Sequence, residues 1–152
     1  MKPTFHSHQN AKDLFPAKER SEIENAISRC NMALNKGAAP KIRDSLVESL
    51  GIDGWSGEVQ IEPPSRITIT SLKNGVGLCV QTGGNMSRMY ADILKLQKLY
   101  MENRVTIGAF ILPTGPAAKS LGDNVANADR LVSELSIFKK VIHMPIAVFS
   151  FE

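Results

Sequence analysis

Three carboxylates, Glu58, Glu62 and Asp92, bracket a stretch, residues 63–91, that contains no Asp or Glu. Phosphodiester hydrolysis assisted by Mg²⁺ needs hard oxygen ligands to hold an ion that polarises phosphate and activates water. Glu58, Glu62 and Asp92 are the acids beside that stretch that could take part in such chemistry, with Asp53 a weaker candidate. Glu58 and Glu62 flank Gln60 at two-residue spacing, so all three share one face of a strand, while Asp92 falls on a helix. The competing reading is that these are solvated surface charges. A nucleophilic route would need Cys79 within reach of His143, His6 or His8, with its thiol pKa lowered. Cys79 sits in an apolar strand, where a cysteine reads as a small core residue. Cys30 and Cys79 do not form a C-x-x-C pair, which argues against zinc or dithiol redox chemistry. His6-x-His8 lacks a third ligand. Gly83-Gly84-Asn85 precedes a helix and resembles a weak anion-binding loop, without a fuller phosphate-loop pattern. Lys41, Arg43, Lys73, Arg88, Lys95 and Lys98 are candidate phosphate contacts, or simply wet helix faces. The single tryptophan, Trp55, reads as a core plug more readily than as a base-stacking platform.

These side chains need a scaffold. Residues 1–17 are polar and carry Pro3 and Pro16, which reads as an N-terminal arm, with 18–152 as a single domain. Ile23, Ile27, Cys30 and Leu34 follow helical spacing. This helix starts at Pro16, or at Ser21 with Glu24 as a capping box, and ends before Gly37. Pro40 opens a second helix with Leu46, Val47 and Leu50 inward and Gly51 as its terminator. Glu58–Glu62 alternates as a strand and is closed by Pro63-Pro64. A second strand over 66–73 turns at Lys73-Asn74-Gly75 into a third over 75–82. There Val76, Leu78 and Val80 share one face and Gly77, Cys79 and Gln81 the other. With Ser87 as N-cap, a helix over 88–102 carries Met89, Ile93, Leu96 and Tyr100 as its apolar stripe. Residues 104–112 are almost continuously apolar, as for a central strand buried on both faces. One helical turn at Ala117–Leu121, a helix over 126–139 with Leu131, Leu135 and Phe138 inward, and an apolar strand over 145–151 complete the chain. The order α-α-β-β-β-α-β-α-β predicts an α/β fold with a central mixed sheet of about five strands flanked by helices.

Composition narrows the function classes. At 152 residues and 43% hydrophobic content the chain can bury a real core. The net charge of +3 and pI of about 9.0 permit a nucleic-acid partner without requiring one. No secretory leader or membrane-spanning run is present in the sequence, which points to a soluble cytoplasmic protein with no membrane partner.

The strand–turn–strand then acquires a further meaning. Gly54-Trp55, the run Ile69 to Gly83, Tyr90-Ala-Asp-Ile-Leu94, Val105 to Pro113 and Pro145-Ile-Ala-Val-Phe149 together resemble the PD-(D/E)XK nuclease fold. In particular they resemble restriction endonucleases of the BamHI/BglII type. The likeness covers residues 52–151. It matches the family's pattern at Trp55, Lys73-Asn74, Gln81, Asp92 and Gly108. It departs from that pattern where the chemistry is decided. Thr70 stands at the family's Asp and Cys79 at its Glu, leaving Gln81 as the one matching active-site position.

The resemblance implies a restriction-endonuclease-like fold, double-stranded DNA as partner and a homodimer, since those enzymes cut both strands of a palindrome. The departures imply a pseudo-nuclease. Thr70 offers a weak neutral hydroxyl and Cys79 a soft thiol, neither suited to Mg²⁺. The expected function is DNA binding without cleavage and without a cofactor, with Lys73, Asn85, Arg88 and Lys95 as nucleic-acid contacts. One alternative is an active Mg²⁺-dependent endonuclease using displaced carboxylates at Glu58, Glu62 or Asp92. The other is a non-catalytic interaction or regulatory subunit on the same fold.

Overall fold

The chain opens with a strand, β1 (Pro3–His8), followed by the helices α1 (Ala11–Leu14), α2 (Ala17–Arg29) and α3 (Ala39–Ile52), in the computed structural model, which describes residues 1–152. Thus part of the segment expected as an irregular arm is regular structure. β1 lies antiparallel on the last strand, β7 (Ile146–Phe151), with Pro3 opposite Phe151 and His8 opposite Ile146. Its polar composition suits an edge strand, which needs only one apolar face. Phe5 supplies that face and packs edge-on against Phe149, with ring centroids 5.2 Å apart.

α2 begins directly after Pro16, its N-cap, near one of the two expected starts, and Ser21 lies inside it with its hydroxyl donating to the Ala17 carbonyl. The helix ends at Arg29, so Leu34 lies beyond it. Gly51 is inside the last turn of α3; the left-handed residue that ends this region is Gly54, at φ +84°.

The expected strands over 58–62 and 66–73 are shorter and differently partnered. β2 (Val59–Gln60) and β3 (Thr68–Ile69) pair only with each other as a small ribbon. The chain then re-enters the main sheet as β4 (Ser71–Lys73), turns through Asn74 (φ 46°) and Gly75 (φ 79°), and returns as β5 (Val76–Val80). A 16-residue helix, α4 (Met86–Met101), leads to β6 (Ile107–Pro113). Two more helices, α5 (Gly115–Leu121) and α6 (Ala128–Ile137), lead to β7. The N-cap of α4 is Asn85, whose side chain accepts from the Arg88 amide, and not the expected Ser87.

The main sheet has five strands in the order β1-β7-β6-β5-β4. β5, β6 and β7 run parallel and the outer pairings are antiparallel. A mixed five-stranded sheet is thus what the pattern predicted, with β1 in the place assigned to residues 58–62. Every residue of β5, β6 and β7 is buried, because helices cover both faces of the parallel centre. On one face Val76, Leu78 and Val80 join Ile23 and Ile27 of α2 and Ile42 and Leu46 of α3. On the other, Cys79 and Phe110 join Met89, Ile93 and Leu96 of α4 and Leu131 and Leu135 of α6. Each large aliphatic side chain so removed from water contributes about 1.5–3 kcal/mol before entropy is counted. Phe138 marks the end of α6 and is 39% exposed, where burial was expected. No helix is long and apolar enough to cross a membrane.

Candidate nucleic-acid interface

A cleft of about 460 Å³ opens where β5 ends and α4 begins. Its floor is the site that the strand–turn–strand pointed to. Thr70 falls at the break between β3 and β4, where the strand leaves its partner. Its amide donates to the Leu78 carbonyl (3.0 Å), and its hydroxyl accepts from the Val80 amide (3.0 Å). The Thr70 side chain therefore completes the backbone ladder at the break.

Cys79 points to the α4 side, as the strand alternation predicts, and is 1% exposed. Burial raises its thiol pKa well above the ordinary value, and the nearby Asp92 carboxylate adds to the rise; Lys95 and a hydrogen bond with the Thr70 backbone offset only part of it. Cys79 is a protonated thiol at neutral pH. The thiolate needed for nucleophilic chemistry is absent, and none of the three histidines lies among the residues lining this cleft.

Gln81 extends past the end of β5, with its amide donating to the Ile111 carbonyl (2.9 Å). Its side-chain amide donates to Asp92 Oδ2. The other Asp92 oxygen takes the Lys95 ammonium at 2.7 Å. This places Gln81, Asp92 and Lys95 in one chain of contacts on the cleft wall. A Cβ at Gly84 would collide with the Gln81 amide oxygen, and one at Gly83 would sit 2.9 Å from Ala39 Cβ. The two glycines let the loop run close beneath Gln81 and against α3.

Across the cleft, Glu58 meets Arg43 of α3 at 3.7 Å and accepts a long hydrogen bond from Thr68 (3.4 Å). Arg88, in the first turn of α4, also lines the opening. Of the three carboxylates considered from sequence, Glu58 and Asp92 reach the cleft. Glu62 instead pairs with Lys98 (3.1 Å) on the outer side of α4.

The four expected nucleic-acid contacts separate in the same way. Arg88 and Lys95 line the cleft. Asn85 acts as a helix cap beside it. Lys73 lies in the other layer: its ammonium sits 2.7 Å from both Glu22 oxygens and 2.5 Å from the Asp53 carbonyl, with 12% of the side chain exposed. Glu22 also accepts from Trp55 Nε1 (2.9 Å), so Trp55 is a core residue tied to an ion pair. Asn74 is held by Glu19 of α2. Arg43 is the cleft residue whose importance is clearer in three dimensions, since only the fold brings α3 over the end of β5.

The mixed five-stranded sheet flanked by helices, with a polar cleft at the end of β5, has the restriction-endonuclease-like architecture. A family model described as restriction endonuclease BglII/BglIII matches residues 4–151. The chain belongs to the BglII/BglIII restriction endonuclease family. Two solved structures share the fold. BglII complexed with a DNA 16-mer superposes with a TM-score of 0.84 at 13% identity, over 100% of this chain and 78% of that one. Free BglII gives 0.75 at 14% identity, over 100% and 80%. A search of curated protein sequences returned no match.

Proposed function

We propose that this protein binds double-stranded DNA through the cleft at the end of β5 and does not cleave it. The observation that carries this reading is the state of the four groups that would face a metal. Thr70 is committed to the Val80 amide, and Cys79 is a buried neutral thiol. Gln81 is turned onto Asp92, and Asp92 is already neutralised by Lys95. Mg²⁺ favours near-octahedral sites built from carboxylate oxygens and water. Glu58, the other carboxylate of the cleft, stands against Arg43 at 3.7 Å. The donors present do not fit Mg²⁺, so no hydrolytic step is assigned to these residues.

What remains suits a phosphate. Arg43, Arg88 and Lys95 converge on the cleft against Glu58 and Asp92. Arg88 can give a planar, two-pronged contact to a phosphate oxygen pair. Lys73 is left out of this set because its charge is used by Glu22. A homodimer, checked by light scattering, belongs to the same reading, since a duplex with two-fold symmetry is matched by a two-fold protein.

The alternative of a non-catalytic interaction subunit is separated by salt. A DNA-binding reading requires the affinity for a 20–30 base-pair duplex, followed by fluorescence anisotropy, to fall steeply as salt rises. Arg88→Ala is expected to weaken binding uniformly across duplex sequences and to reduce the logarithmic salt slope by about 1. Affinity that is undetectable at low salt, or unchanged by Arg88→Ala together with Arg43→Ala, would exclude this cleft as the DNA site.

A further inference from the structure

We propose that Lys95 is a built-in cation that replaces the divalent ion: its ammonium neutralises Asp92, keeps a metal out of the cleft and presents positive charge to a DNA phosphate. The inference rests on the DNA-binding reading of this cleft and names how the cleft works without metal.

Three observations lead to it. First, the Lys95 ammonium is inside the site, with its side chain 25% exposed and the Asp92 side chain 6% exposed. It is held at 2.7 Å by the one buried carboxylate in the cleft, while Gln81 occupies the other oxygen. Asp92 is therefore not available as a metal ligand unless Lys95 leaves.

Second, an ammonium has three donors. Asp92 is the only protein partner that Lys95 has, so two donors remain for a ligand entering the cleft. Third, the charges close. The ionised residues lining the cleft are three cations, Arg43, Arg88 and Lys95, against two anions, Glu58 and Asp92, a net charge of +1. A divalent ion would raise this to +3 with no unpaired carboxylate to receive it. One phosphodiester brings it to zero.

The test uses the full chain and two probes, Mn²⁺ followed by electron paramagnetic resonance and a DNA duplex followed by anisotropy. The expected results for the wild type are no tight Mn²⁺ site and equal DNA affinity in EDTA and in Mn²⁺. Lys95→Met releases Asp92, and Mn²⁺ should then bind at least tenfold more tightly than to the wild type. This gain should vanish in Lys95→Met/Asp92→Asn. DNA binding by Lys95→Met should weaken about tenfold in EDTA and recover in part with Mn²⁺. Lys95→Arg keeps the charge and should remain indifferent to Mn²⁺, which guards against a folding defect in the methionine variant.

Equal Mn²⁺ affinity in the wild type and in Lys95→Met would overturn the replacement of metal by lysine and leave the DNA reading standing. A wild type that binds no duplex in either buffer would overturn the DNA reading and, with it, the phosphate role of Lys95.

Discussion

Lys73 and Lys95 both sit against a carboxylate, yet their surroundings give them different work. Lys73 is enclosed between α2 and the β4–β5 turn, with Glu22 and the Asp53 carbonyl as partners. Removing one member of a buried ion pair leaves the other charge uncompensated, a loss of about 3–5 kcal/mol. Lys73→Ala should therefore lower stability in urea by about that much, while the salt slope of DNA binding stays as in the wild type. A stable Lys73→Ala protein with a reduced salt slope would instead make Lys73 a phosphate contact. Local pattern could not assign this residue. A lysine beside a tight turn looks solvated, and the acid that captures it is 51 positions away. Cys79 was more legible, because two-residue alternation alone puts it on the face opposite Val76, Leu78 and Val80. The protonated state of its thiol follows from what α4 adds above it.

At the scale of elements, the position of α4 over β5 decides whether Asp92 and Lys95 reach the cleft. Gly77 permits that close approach. A Cβ there would lie 2.7 Å from Leu96 Cδ2 and 3.1 Å from Val105 Cγ1. Leu96 is fully buried. Gly77→Ala is expected to cost about 1–3 kcal/mol by overpacking. It should also weaken DNA binding by displacing the helix that carries Arg88 and Lys95. Unaltered thermal unfolding in that variant would show that α4 yields easily, contrary to this account. The central strand β6 could be read from its continuous apolar run, and the helices α4 and α6 from hydrophobic period, because each helix buries one regular face. β2 and β3 could not be placed correctly. Alternation announces a strand but not its partner, and the change of partner occurs at Thr70, where a hydroxyl replaces a ladder contact.

For the whole molecule, strand order joins the two ends of the chain. The Lys2 amide donates to the Glu152 carbonyl at 3.0 Å, and β1 shields the apolar edge that β7 would otherwise present. That pairing spans nearly the entire sequence, so no local signal in the polar segment Pro3–His8 could reveal it. The fold class was legible because mixed strand–helix order constrains architecture strongly. The proposed separation of binding from catalysis has one root in the sequence, the acid-free stretch 63–91. Its other root is in the cleft, where the Thr70 hydroxyl accepts from the Val80 amide, Cys79 is a buried thiol with a raised pKa, and Asp92 is held by Lys95. The central claim is that this family member grips duplex DNA without cutting it. Its most direct test is incubation of the purified protein with supercoiled plasmid in EDTA, Mg²⁺ or Mn²⁺, resolved on a native gel and again after deproteinisation. The account predicts plasmid retarded on the native gel and fully supercoiled after deproteinisation in all three buffers. Nicked or linear product that requires the metal, and is lost in Glu58→Ala or Asp92→Ala, would contradict it.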